Sequence, residues 1–168
     1  MALSHGFPPV ADKSARVLVL GSLPGKASLA VHEYYANKQN AFWRIMGDLV
    51  DAGPALPYVQ RLKRLNAAGI ALWDVMAAGE RPGSLDADIV KSSVRINDFS
   101  AFFAVHRSIA RVFFNGGAAE AAFRRHVLPG LQGADFQLIR LPSTSPAHAA
   151  SSYADKLAAW SAIIAPAK

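Results

Sequence analysis

"VLVLGSLPGK", residues 17–26, runs an apolar strand into a loop holding two glycines, a proline and a lysine. A strand opening into a glycine loop begins many phosphate-binding α/β domains, so this stretch decides how the rest is read. The NTPase version of the loop needs four residues between its glycines, then Lys and a Ser or Thr. Here three residues separate Gly21 from Gly25, and Lys26 is followed by Ala27. The hydroxyl that would hold a magnesium ion is missing at the required place, and Pro24 removes an N–H from a loop meant to present N–H groups. The NTPase reading fails. The strand-to-loop pattern stands, and its meaning depends on the other strands and loops of the chain.

Three further apolar runs read as buried strands: "GIALWDV" at 69–75, "RVFFN" at 111–115 and "FQLIRL" at 136–141. Each is too short for an independent helix, and most are bounded by Gly, Asn or Pro. Amphipathic stretches lie between them. "FWRIMGDLVDA" at 42–52 puts Phe42, Ile45, Met46 and Leu49 on one face, and "ALPYVQRLKRLNAAG" does the same with Tyr58, Leu62 and Leu65. "NDFSAFFAVHRSI" opens on Asn or Asp as a cap, while "GGAAEAAFRRHVL" and "SYADKLAAWSAII" are Ala-rich helix material. Strands alternating with helices imply βαβ units. The expectation is a single domain over residues 1–168, a three-layer α/β/α sandwich around a central four-stranded parallel sheet.

Composition narrows the function. The 168 residues suffice for a sizeable core, and 52% of them are apolar. No apolar run approaches the roughly 20 residues of a membrane span. The N-terminus lacks the basic region and long apolar stretch of a signal peptide, so the expected location is the cytoplasm. There are no cysteines, which excludes disulfides, thiolate metal sites, iron–sulfur clusters and cysteine nucleophiles. A formal net charge of +6 suits a polyanionic partner, and equally a basic protein without one. Arg61, Lys63 and Arg64 form one basic cluster and Arg124 with Arg125 another, both in helical stretches that could line a folded face.

In parallel sheets, ligands bind beyond the carboxyl ends of the strands. The segments there are "GSLPG", "DVM", "NGG" and "LPSTSPAH", and the strand-ending residues Asp74 and Asn115 read either as structural caps or as ligand contacts. For Asn115 the structural role is favoured. "HEYYANKQNAFWRI", 32–45, offers two tyrosines, two asparagines and a Phe-Trp pair. Taken alone, Phe42 and Trp43 are core residues opening a helix capped by Asn40. The competing reading is an aromatic platform for an extruded base with an amide beside it. In "RLPSTSPAHAASSYA" the short hydroxyls and loop N–H groups suit phosphate, or else simply cap the last helix. Ser145 with His148 makes a poor hydrolase pair at that spacing, and the G-x-S-x-G elbow is absent.

In this order, "GSLPG", "YYANKQNAFWRIM", "GIALWDV" and "LPSTSPAH" resemble the uracil-DNA glycosylase superfamily, and within it the hypoxanthine-DNA (deoxyinosine) glycosylase branch, over roughly residues 14–163. The lack of cysteine is similar to its cluster-free branches. The resemblance implies a monofunctional DNA-repair glycosylase, expected as a monomer without metal or cofactor, that removes hypoxanthine, or uracil or xanthine, from DNA by base flipping. It places Gly21, Ser22 and Leu23 against the sugar and base, Phe42 on the base, and Asp74 at its N–H edge. Ser143, Thr144, Ser145 and His148 fall on the DNA, with His148 near the phosphate or the leaving base. Two departures stand out. Most of the superfamily carries Asp or Asn where this chain has Leu23, which implies that Asn40 positions the water, with Asn37 as runner-up. Leu141 replaces the histidine that opens the second motif of the uracil enzymes. The alternatives are a different base on the same scaffold, a noncatalytic nucleic-acid-binding module, and a small-molecule α/β enzyme.

Overall fold

The computed structural model describes residues 3–83 and 85–166. In chain order its strands are β1 (Ser4–His5), β2 (Val17–Gly21), β3 (Ile70–Asp74), β4 (Met76–Gly79), β5 (Arg95–Ile96), β6 (Arg111–Asn115) and β7 (Gln137–Leu141). Its α-helices are α1 (Lys26–Val31), α2 (Phe42–Val50), α3 (Tyr58–Ala67), α4 (Phe99–Val105), α5 (Gly117–His126) and α6 (Tyr153–Trp160). The four expected runs form one parallel sheet in the order β3-β2-β6-β7. Every residue of β2 is buried because both of its faces are covered. Leu18 and Leu20 point into one core with Phe99, Phe102 and Phe123, whereas Val17 and Val19 point into a second with Phe42, Trp43, Leu65 and Trp160. These are the three layers.

Local sequence sets the helix ends where it can. Asp98 accepts the Ala101 N–H at 3.0 Å to start α4, and Ser152 with Asp155 forms a capping box at the start of α6. In α2 the buried residues are Phe42, Trp43, Ile45 and Met46, the stripe a 3.6-residue period demands.

The run at 69–75 does not end as one strand. After β3 the chain turns at Val75, whose N–H donates to the Gly21 carbonyl at 2.9 Å, and continues as β4. β4 then pairs antiparallel with both β1 and β5, making a second, three-stranded sheet that local patterning did not announce. The short helix α1 is also new, beginning directly after "GSLPG". Together these changes bring the segment at 80–88 back to the carboxyl end of β2.

Candidate active site

Parallel register places Gly21, the last residue of β2, opposite Asp74, the last of β3. Beyond them opens a cavity of about 630 Å³, lined from four segments at the carboxyl ends of the strands. Asp74 forms its floor and is only 4% exposed. Among the described residues its Oδ2 has no hydrogen-bond partner, and burial, with the Asp86 charge adding, pushes its pKa up to about 7 against a weaker pull from Arg81. A side chain on residue 21 would collide with this floor. A Cβ there would lie 2.5 Å from Asp74 Oδ1 and 2.8 Å from the Tyr35 hydroxyl. Glycine is needed at this position for its size.

Tyr35 closes one wall. It sits in the left-handed region at φ 54°, and one ring face rests on Phe42, with centroids 4.2 Å apart and planes at 23°. Its hydroxyl is buried without a partner among the described residues, and burial with the nearby Asp74 charge raises its pKa. Beside it stands Asn40. The Asn40 Oδ1 accepts the Phe42 N–H at 2.9 Å, its own N–H donates to the Asn37 carbonyl at 2.9 Å, and the next N–H, of Ala41, donates to the Thr144 carbonyl at 3.0 Å. The side-chain amide is thus held by one hydrogen bond and its backbone by two more, with a second lone pair on Oδ1 still available. Asn37 is exposed at the cavity edge, its Oδ1 occupied by the Gln39 N–H.

The third wall is the loop after β7. Asn115 Nδ2 donates to Thr144 Oγ1, and the Thr144 N–H donates to Asn115 Oδ1, both at 2.9 Å. This pair of hydrogen bonds between the ends of β6 and β7 is the structural role expected of Asn115. Gly116 comes next at φ 93°, and a Cβ there would meet Ser143 at 3.1 Å. Ser143 and Ser145 each accept an N–H within the loop, from Ser145 and Ala147 respectively. His148 lines the cavity at the loop's far end. Beneath the loop lies Lys156 of α6, 6% exposed, its ammonium 3.5 Å from the Ser145 carbonyl and its pKa lowered by burial.

The fourth wall comes from the segment after β4. Arg81, its side chain 5% exposed, donates to the Pro24 carbonyl and pairs with Asp86 at 3.6 Å, while Asp86 takes the Ser22 hydroxyl at 2.5 Å. This network ties the segment to the "GSLPG" loop. Lys26 stands exposed at the mouth. Leu23 is 6% exposed and packs into the core, so no polar atom replaces the missing Asp or Asn there.

Of the residues singled out in the sequence, Gly21, Ser22, Leu23, Asn40, Asp74, Ser143, Ser145 and His148 line this one cavity. Two expectations are corrected. Phe42 does not offer its face to a ligand: it is fully buried, and Tyr35 lies between it and the cavity. Thr144 borders the cavity but is 1% exposed, and its hydroxyl and N–H are both bonded to Asn115, so its polar groups are held within the fold. The basic clusters also lie elsewhere. Arg61 folds over the Trp43 and Tyr58 rings, and Arg124 pairs with Glu120 at 3.3 Å. Besides Asp74 and His148, the acidic and basic residues lining the cavity are Lys26, which closes the stretch at 17–26, and Arg81 and Asp86, which belong to no recognisable motif. Lys156 was detectable only as the lone cation of α6.

The matching family model is that of the Uracil DNA glycosylase superfamily, aligned over residues 8–164. Similar curated proteins include the hypoxanthine DNA glycosylase of Methanosarcina acetivorans, 36% identical over 147 residues (87% of this chain and 89% of that one). That of Methanosarcina barkeri is 40% identical over 113 residues, covering 67% and 70%. Among solved structures, the solution NMR structure of a candidate uracil DNA glycosylase from Methanosarcina acetivorans superposes with a TM-score of 0.80 at 34% identity, covering 97% of each chain. The sheet order, the cavity at its carboxyl edge and these matches agree: the chain belongs to the uracil DNA glycosylase superfamily.

Proposed function

We propose that this protein is a monofunctional DNA glycosylase that hydrolyses the N-glycosidic bond of a deaminated base, hypoxanthine foremost, after flipping its nucleotide out of DNA. The observation that carries the reading is the convergence, in one cavity, of a fixed amide (Asn40), an aromatic face (Tyr35) and a buried carboxyl with an unpartnered oxygen (Asp74). Those are the parts needed to hold a planar base and deliver water to its sugar. The curated relatives bear the name hypoxanthine DNA glycosylase.

Each part has a place in the chemistry. The N9–C1′ bond breaks with both electrons leaving on the base, so positive charge grows on the sugar and negative charge on the purine. Water held by the free lone pair of Asn40 Oδ1 adds its oxygen to C1′ and releases one proton, while the base takes up one, for a net addition of water. An amide is a weak base, which suffices when water attacks a sugar that is already cationic. The exposed face of Tyr35 stacks on the base. Backed by Phe42, that ring cannot retreat into the core. Ser143 and Ser145 hold flanking phosphates, with Lys26 at the mouth and Lys156 beneath the loop supplying positive charge. His148 lies against the same phosphate track.

The test is release of free base from oligonucleotides carrying inosine, uracil or xanthine. Hypoxanthine should appear, with the strand intact until the abasic site is cleaved by alkali. Duplex affinity should fall with salt at a slope near −0.9 per neutralised phosphate. Salt-dependent binding without release of any base would leave a noncatalytic module, and a flat salt dependence would remove DNA as the partner.

A further inference from the structure

From the glycosylase reading, we infer that Asp74 works as a neutral carboxylic acid: its carbonyl oxygen accepts the ring N–H of the base, and its O–H donates to the adjacent carbonyl, O6 of hypoxanthine, as the base departs. The surroundings of Asp74 carry this. Its carboxyl is buried at the cavity floor with Oδ2 unpartnered, and among the described residues it forms no ion pair. The cation in this wall, Arg81, is committed to Asp86 and the Pro24 carbonyl.

The other neighbours leave it equally unpaired. Loop 32–40 faces it with Tyr35 and Tyr34, and the segment after β4 faces it with Asp86 as well as Arg81. The end of β2 contributes Gly21, which has no side chain, and Ser22, whose hydroxyl goes to Asp86. The Asn97 amide is spent on the main-chain oxygen of Asp74 at 2.8 Å, and Asn115 on Thr144. Among the described residues the one pull toward a carboxylate is the Arg81 charge, and burial together with the Asp86 charge outweighs it.

Reaction chemistry points the same way. A lactam edge presents one donor and one acceptor side by side. A neutral carboxyl matches both, whereas a carboxylate accepts the N–H and sets its second oxygen against the base carbonyl. As the glycosidic bond breaks, the base gains negative charge. An ionised Asp74 in contact with it would repel that charge in a low-dielectric site, whereas an O–H donor stabilises it. With Leu141 where a leaving-group histidine would stand, the O–H of Asp74 supplies a donor at the base carbonyl.

The test is single-turnover hypoxanthine release at saturating enzyme, from pH 5.5 to 9 at constant ionic strength, beside a melting curve at each pH. The wild-type rate should fall tenfold per pH unit above about 7, where Asp74 ionises. Asp74→Asn keeps one donor and one acceptor. It should release base several-fold more slowly than wild type at pH 6, lose the alkaline fall, and overtake wild type by pH 9. An infrared band of a protonated carboxyl, present at pH 6 and absent from Asp74→Asn, reads the same proton without substrate. A wild-type rate that is flat or rising through neutrality overturns this inference alone, as does a folded Asp74→Asn protein that keeps the alkaline fall. Failure to release hypoxanthine at any pH overturns the glycosylase reading, and this inference with it.

Discussion

Asn40→Ala is expected to cut single-turnover base release by roughly tenfold to a hundredfold, while binding to an abasic product changes little. Tenfold corresponds to about 1.4 kcal/mol of transition-state stabilisation, a modest demand on one water-positioning group. The structure explains why no neighbour can substitute. Leu23, where most of the superfamily carries Asp or Asn, is buried and apolar. Asn37 is exposed at the cavity edge, whereas Asn40 is half-buried beside Tyr35. The Asn40 amide is held by the Phe42 N–H, and its backbone by the Asn37 and Thr144 carbonyls on either side. Alanine also removes that contact with Phe42. Asn40→Asp, which preserves an acceptor there, serves as the control for helix integrity in the melting curve. Full activity in Asn40→Ala beside an inactive Asn37→Ala would move the water to Asn37.

Gly21→Ala is expected to be more damaging, with base release down a hundredfold or more and stability lowered by about 1–3 kcal/mol, the usual cost of overpacking. The added methyl would stand 2.5 Å from Asp74 Oδ1 and 2.8 Å from the Tyr35 hydroxyl, and both of those groups belong to buried walls of the cavity. Relief requires the carboxyl or the ring to move, and each is assigned to the base. Gly25→Ala in the same loop makes the comparison clean, since its Cβ would meet nothing closer than the Arg81 guanidinium at 3.9 Å. It should melt close to wild type. A Gly21→Ala protein with wild-type melting and wild-type release would show that the cavity floor yields to a methyl group.

How far the sequence could be read depended on whether a residue's neighbours were local. The parallel strands were legible because burial on both faces makes each a continuous apolar run, as in Val17–Gly21. The strand that follows Val75 was not, since β4 is defined only by its pairing with distant β1 and β5. Asp74 could be placed because it ends β3, and Asn40 because it lies just ahead of the periodic stripe of α2. The ring that borders the cavity could not be picked out, for a physical reason. Phe42 lies on the helical stripe that must be buried, while Tyr35 sits in a loop with left-handed backbone, which no periodicity marks. Thr144 looked like its serine neighbours until Asn115, 29 residues away, claimed it. Arg81 and Asp86 arrive on a segment whose path is set by the second sheet.

The rings behind the cavity give the protein a built-in optical probe. Tyr35 rests on Phe42, and Phe42 stands edge-on to Trp43 and Trp160, with centroids 4.9 and 5.9 Å away. The indole of Trp43 donates to the Tyr34 carbonyl at 2.7 Å, and that of Trp160 to the Pro142 carbonyl at 2.9 Å, so each is bonded to a segment bordering the cavity. Trp73 packs in the opposite layer against Phe99 and Phe102. A purine stacking on Tyr35 should therefore change the emission of two tryptophans and leave the third as an internal reference. Nucleotide entry then becomes visible in real time by stopped-flow fluorescence, with neither protein nor DNA labelled.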